Sequence, residues 1–279
     1  VGDVYYPNID KKEYEIKGSK NSPVYNDQDK VLFPRMAPTN DGESAAKMYQ
    51  YWANFYGDPT FADNISYFFN YQFSFMYMRY FMWNFAGRQD DYQGTYENQK
   101  VNGDWLTGIP VIDDARLGSQ DGLPKQISNQ KARNKYYLFP LLFGLFGLSF
   151  MMQKNKQYAI VFGLLFLITG LFLIIYFNSP PREPRERDYV LVGSFFTFCI
   201  WIGLAVAAAY DSLQRIKFPK VPMAIGLTVA GLLLVPFIMA KENYNDHNRH
   251  DRFMARDFAT NYLESCPPNS ILVSSGDND

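Results

Sequence analysis

Two cysteines and two histidines among 279 residues leave little material for thiol or metal chemistry. Cys199 lies inside an apolar run and Cys266 in a polar tail, so a bond between them would join two different environments, and no disulfide framework is expected. His247 and His250 stand in Asp246-His247-Asn248-Arg249-His250-Asp251-Arg252. Neither that spacing nor the acidic neighbours form a strong ligand signature, and the stretch reads as the polar start of a helix running to Leu263. No metal and no cofactor is expected. Lys and Arg number 27 against 28 Asp and Glu, a net charge of −1, and no basic field for nucleic acid emerges along the chain. A basic-then-apolar leader is missing after Val1, so no signal peptide is expected. The chain opens without Met and stops just beyond a strand-like run, which reads as an excerpt of a longer protein.

Charge is missing altogether from four runs, 136–152, 158–177, 189–210 and 222–240. A bilayer's hydrocarbon takes roughly 20 apolar residues in helix, about 1.5 Å each across ~30 Å. In lipid, backbone groups of such runs are satisfied only by helical hydrogen bonding. Four buried helices of a soluble bundle would need polar stripes that these runs lack. The fold class expected is a predominantly α-helical, multi-pass membrane protein with four transmembrane helices between residues 136 and 240, and the bilayer is its first partner. Gly144, Gly147, Gly163, Gly170, Gly203, Gly226 and Gly231, with Ala205 and Ala207 to Ala209, suit close helix packing. Pro236 should kink the last helix by removing a donor. Tyr136, Tyr137, Tyr158, Tyr176, Tyr189 and Tyr210 stand at run ends, where ring and hydroxyl suit a water–lipid boundary.

The short loops at 153–157 and 211–221 put both long flanks on one side of the membrane. Counting Lys and Arg favours a cytoplasmic position for those flanks, but Arg182, Arg185 and Arg187 alternate with Glu183, Glu186 and Asp188, and charge on long flanks orients weakly. Charge alone leaves the orientation open.

Residues 1–62 read as a loop-rich extramembrane segment broken by Pro7, Pro23, Pro34, Pro38 and Pro59. From Asp63 or Asn64 a helix should run to Phe85 and stop near Gly87, giving a segment 63–87. Aromatic residues cover nearly every face of it, with Asn70, Gln72 and Arg79 among them. That mixture suits an interfacial or packed helix; as a further span it would sink Arg79 deep unless paired. Residues 88–135 form a turn-rich loop with charges beside aromatics, for which a capped helix end and a solvated loop are the plain explanation. The loop from Asn178 to Tyr189 holds Arg182, Arg185 and Arg187 beside the membrane. Two readings stand: a grip on a lipid phosphate, or a self-neutralising surface loop. Residues 241–279 read as the truncated start of a soluble α/β domain, with Ile271-Leu272-Val273 as a strand. Asp277 and Asp279 beyond it are either site residues or a plain turn.

Four stations along the chain carry a resemblance. Arg79-Tyr80-Phe81-Met82-Trp83-Asn84-Phe85-Ala86-Gly87-Arg88-Gln89-Asp90, Gly103-Asp104-Trp105-Leu106-Thr107-Gly108-Ile109, Pro184-Arg185-Glu186-Arg187-Asp188-Tyr189, and Asp251-Arg252 followed by Gly276-Asp277-Asn278-Asp279 resemble conserved stretches of the bacterial protein O-mannosyltransferase-like membrane family. The resemblance implies a polytopic glycosyltransferase of the GT-C type. It would move a mannose-like sugar from a lipid-phosphate-linked donor to hydroxyls of an acceptor protein, outside the cytoplasm. It singles out Arg79, Trp83, Arg88, Asp90, Asp104, Trp105, Asp251, Arg252, Asp277 and Asp279, and gives Arg182, Arg185 and Arg187 a donor phosphate to hold. It also implies a bacterial inner-membrane location with periplasmic flanks, and a catalytic carboxylate in a first outer loop that this chain does not include. A non-catalytic envelope scaffold or transport component is the competing class, and a pore is disfavoured because no charge lies within the four runs.

Overall fold

The computed structural model describes residues 2–20, 43–92, 102–179, 181, 188–214 and 216–273. Arg182, Arg185, Arg187, Asp277 and Asp279 therefore lie outside the described residues. The molecule is predominantly helical, with three helices long and apolar enough to cross a membrane and little sheet. It divides into two compact units, Val1–Phe81 with Asn155–Ile200, and Met82–Lys154 with Trp201–Asp279.

The first unit opens with an antiparallel hairpin of β1 (Gly2–Asn8) and β2 (Glu13–Lys20), Tyr5 facing Ile16 and Pro7 facing Tyr14. This replaces the irregular start expected from its prolines: Pro7 occupies a two-stranded sheet, where a missing N–H is tolerated at an edge. Helix α1 (Glu43–Ala53) follows. A continuous helical rod then comprises α2 (Phe61–Tyr67), a π-helix over Phe68–Arg79 and α3 (Tyr80–Phe85). Its start is earlier than Asp63 because Thr60 caps it and Asp63 reaches back, accepting from the Thr60 backbone N–H at 2.8 Å and its hydroxyl at 2.7 Å. These bonds hold the Asp63 carboxyl below its ordinary range. The i→i+5 bonding of the π stretch widens the helix and spreads its rings.

Those rings make the core of the first unit. Trp52 of α1 lies 5.2 Å from Tyr71 and 4.7 Å from Phe75, and Tyr67 stacks on Tyr71 at 5.1 Å. Against the same rod pack α7 (Lys156–Ile168), α8 (Leu171–Phe177) and the beginning of α9 (Val192–Leu213), entered through a 3-10 turn at Asp188–Leu191. The Tyr77 hydroxyl and Ser194 Oγ are 2.6 Å apart. A Cβ on Gly170 would come within 2.7 Å of the Tyr77 ring and 2.8 Å of Ser194 Oγ, so this glycine permits the approach. It also begins α8 after Thr169, so the second apolar run is two helices in line rather than one.

The second unit holds α6 (Phe139–Lys154), the rest of α9, α10 (Lys220–Leu232), a π turn at Leu233–Phe237, α11 (Ile238–His247) and α12 (Met254–Glu264). Gly147 is pressed against α9: a Cβ there would lie 1.8 Å from the Trp201 carbonyl oxygen. Gly231 meets Val206 in the same way at 2.8 Å, whereas Gly163, Gly203 and Gly226 face open space. Pro236 sits within the π turn, where the rearranged ladder accommodates its missing donor.

The spans Lys156–Phe177, Tyr189–Leu213 and Lys220–His247 number 22, 25 and 28 residues, each reaching at least about 33 Å in helix. Ile160, Val161, Leu164, Ile168, Ile225, Val229, Leu233 and Phe237 are exposed along them, an apolar surface suited to lipid. The run expected at 136–152 forms a helix of 16 residues, Phe139–Lys154, because Tyr137 and Leu138 take positive φ and join a turn. Ile271–Val273 is irregular and exposed, not a strand, and the polar stretch 248–253 separates α11 from α12 instead of continuing a helix.

Candidate functional site

The π-helical rod presents Tyr71, Gln72, Met76, Arg79 and Tyr80 to a half-open cavity. Ile174, Phe177 and Ser179 at the end of α8, with Val190 and Leu191 before α9, complete the wall. This space lies wholly within the first unit. Ile174 and Leu191 of its wall also form a buried cluster with Tyr77, which fixes the rod against α8 and the 3-10 turn.

Two polar side chains are buried in this apolar wall. Arg79 is 5% exposed, its Nε donates to the Phe75 carbonyl at 3.1 Å, and its guanidinium carbon stands 4.3 Å from the Phe75 ring centroid. The ring and the carbonyl hold the cation, a cation–π and hydrogen-bond arrangement that fixes a guanidinium in low dielectric. Gln72 is 1% exposed, and its Nε2 donates to Asn178 Oδ1 at 2.8 Å. Asn178 ends α8 in the left-handed conformation, φ 44°, which asparagine adopts more readily than most residues. Arg79 thus lines a cavity. Gln72 was visible in the sequence only as one uncharged polar residue inside an aromatic run.

The second unit gathers Trp83, Arg88, Asp90, Asp104 and Trp105 into a polar cluster. Gly87, φ 125°, lets β3 (Gly87–Arg88) pair with β4 (Asn134–Lys135); a Cβ there would fall 2.4 Å from the Leu106 carbonyl and 2.6 Å from that of Asn134. Arg88 donates from its backbone to Asn134 Oδ1 at 2.9 Å, from Nε to the Ala132 carbonyl at 3.1 Å, and from Nη2 to Asp246 Oδ2 at 2.7 Å. Its guanidinium also lies over the Trp83 ring at 5.7 Å. Asp90 is buried and accepts from the backbone N–H groups of Gly103 at 2.8 Å and Tyr92 at 3.1 Å; burial pushes its carboxyl up despite those bonds. Asp104 accepts from Arg116 Nη1 at 2.8 Å, and that guanidinium sits 3.4 Å from the Trp105 ring centroid while also donating to the Trp105 carbonyl.

Around these, Asp113 accepts from Thr107 N at 2.9 Å, Thr107 Oγ1 at 3.0 Å and Gly108 N at 2.7 Å, locking the loop onto the start of α4 (Pro110–Leu117). Asn134 donates to Asn243 Oδ1 at 3.0 Å, and Asn243 donates to the Tyr136 hydroxyl at 2.6 Å. Burial pulls the Arg133 guanidinium down from its ordinary value, partly offset by Asp113 and Asp90. Asp113, Arg116, Asn134 and Asn243 carry no period or motif that the sequence alone would have singled out. The groups of this cluster are largely engaged with one another, so its arrangement serves to hold a loop rather than to present a reactive atom.

Asp251 and Arg252 are exposed between α11 and α12. Asp251 pairs with the exposed His250 at 2.8 Å, and Arg252 Nη2 reaches the Asn245 carbonyl at 3.5 Å.

A family model described as a family of unknown function (DUF8416) matches residues 2–69. The matched stretch holds the hairpin, α1 and the first part of the rod, and ends before Tyr71, where the cavity lining begins. No curated protein and no solved structure matches the chain.

Proposed function

We propose that this chain is the donor-recognising part of a membrane glycosyltransferase that moves a sugar from a lipid-phosphate carrier to protein hydroxyls outside the cytoplasm, in keeping with its resemblance to the bacterial protein O-mannosyltransferase-like membrane family. One observation carries the reading: a cavity with apolar walls contains a fixed, buried guanidinium. Apolar walls suit a lipid chain, and a guanidinium suits phosphate oxygens through paired, charge-assisted hydrogen bonds. Ser179 and Val190 line the cavity on either side of the stretch bearing Arg182, Arg185 and Arg187 in sequence. On that ground Arg185 and Arg187 are assigned as further holders of the phosphate. The described cavity lining carries no carboxylate, so the base that takes the acceptor's proton comes from outside it.

In this reading the helix Phe139–Lys154 is a fourth crossing. Its 16 residues reach about 24 Å, and local thinning of the bilayer with anchoring by Lys154 covers the remainder. Four crossings with short connections at 155 and 214–219 put the long flanks together, and the proposed location is the bacterial inner membrane with periplasmic flanks.

The test is sugar transfer from polyprenyl-phosphate-linked hexose to acceptor protein by membranes carrying the full-length protein. Arg79→Gln and Arg185→Glu are expected to lower transfer by about tenfold or more, the loss of a charge-assisted contact. Wild-type rates in both variants would remove the phosphate assignment. The competing reading, a non-catalytic scaffold, is favoured by the exposed apolar face of the hairpin, where Tyr5, Tyr14 and Ile16 stand free of packing; it predicts no transfer by any preparation.

A further inference from the structure

Contacts along the aromatic rod keep step with depth in the membrane. Gln72 bonds to Asn178, just past the end of the span Lys156–Phe177. One turn further, the Tyr77 hydroxyl meets Ser194, about 8 Å inside the start of the span Tyr189–Leu213 at 1.5 Å per residue, and the Tyr77 ring lies against Gly170. Another turn on, the Phe81 ring stands 5.8 Å from that of Phe166, at the middle of the first span, and 4.8 Å from that of Phe198, about 14 Å inside the second. With hydrocarbon ~30 Å thick, a ring at this level is near the mid-plane.

Composition and side-chain direction follow the same gradient. Asp63, Asn64, Ser66, Asn70, Gln72 and Ser74 punctuate the first part of the rod, whereas from Phe75 to Trp83 the sequence has no Asn, Gln, Ser or Thr and one charge, Arg79. Arg79 bends back: its Nε donates to the Phe75 carbonyl and its guanidinium lies on the Phe75 ring, one turn nearer the membrane face. Long cationic side chains in lipid take this course to keep the charge away from the centre. Phe177, Ser179 and Val190, which share its cavity, all lie within two residues of a span end. Phe73, Met76, Met78 and Tyr80 are only partly buried and leave apolar surface for acyl chains, while helical bonding satisfies the backbone.

We propose that the rod is a re-entrant membrane element: it enters the hydrocarbon near Gln72, carries Phe81 to about half depth, and returns the chain to the face it came from. The return follows from Arg88, which pairs with Asp246 at 2.7 Å. Asp246 ends the span Lys220–His247, two crossings after Tyr189, and so lies on the face of Tyr189 and Asn178. Lipid of that leaflet is the partner of the rod, and the proposal needs the spans but not sugar transfer.

The test is a spin-label depth measurement on the full-length protein in lipid nanodiscs, in a background lacking Cys199 and Cys266. The variants are Ala62→Cys, Phe69→Cys, Ser74→Cys and Met78→Cys, with Val192→Cys and Phe196→Cys on α9 as rulers; all but Met78 are exposed positions, so their labels leave packing intact. Accessibility to oxygen against a water-soluble nickel chelate reads depth. Position 62 is expected to behave as in water, 74 to match 192, and 78 to match 196, about 6 Å deeper than 74. One headgroup-level depth from 69 to 78, or nickel access at 74 and 78 equal to that at 62, overturns insertion. If the label at 78 disturbs folding, 69 and 74 still decide, because insertion makes 74 the deeper by about 7 Å. In sealed vesicles, Tyr92→Cys is expected to react with an impermeant reagent from the same side as a cysteine at 248. Reaction from the opposite side makes the rod a complete crossing and overturns the return.

Discussion

Asp90 is held away from water by the loop that follows the aromatic rod, and its two backbone donors do not fully offset the desolvation of its charge. Because the folded carboxyl holds its proton more tightly than the unfolded one, stability falls as pH rises from the unfolded value near ~3.9 through the raised folded value, and levels off above it. Asp90→Asn should abolish that slope, read as unfolding midpoint against pH in detergent. A slope that persists in the variant would mean another group titrates. Arg79 and Gln72 show the other consequence of burial. The first is held by a ring and a carbonyl and the second by one asparagine, which leaves the Gln72 carbonyl oxygen buried without a donor. In the sequence, Arg79 drew notice through its charge and its motif. Gln72 gave weaker notice, because a neutral amide among aromatics is as readily explained by an interface with water.

At the scale of elements, glycine distinguishes contact from mere smallness. Gly147→Ala should destabilise α6 against α9 by about 1–3 kcal/mol, the cost of forcing a methyl into a closed backbone contact. Gly163→Ala, facing open space on α7, should be neutral or stabilising by about 0.5 kcal/mol through helix propensity. Thermal unfolding of both variants in the same detergent checks the pair. The sequence displayed every one of these glycines alike, since composition cannot tell which helix face meets a neighbour. It displayed the apolar helices clearly because charge is missing from them. Their interruptions were less visible: Thr169–Gly170 breaks one run, and Tyr137 and Leu138 shorten another through backbone conformations that apolar periodicity does not encode. The hairpin at residues 2–20 was hidden by Pro7 and by dense charge, although Tyr14 and Ile16 alternate with Glu13, Glu15 and Lys17 as a strand requires. The converse holds at Ile271–Val273, where an apolar run with two β-branched residues forms no strand.

For the whole molecule, three helices with exposed apolar surfaces demand a lipid environment, and the lipid-phosphate reading follows only if the bilayer is there. The number of crossings is the quantity on which sidedness, the position of the flanks and the access of a lipid donor all depend. The most direct measurement is accessibility in sealed membrane vesicles of single cysteines at residues 119, 155, 181, 214 and 248, in a protein lacking Cys199 and Cys266, to a reagent that cannot cross the bilayer. Four crossings predict that 119, 181 and 248 label from one side and 155 and 214 only from the other. Labelling of 119 and 155 from the same side would contradict the fourth crossing, and labelling of all five from one side would contradict membrane passage altogether.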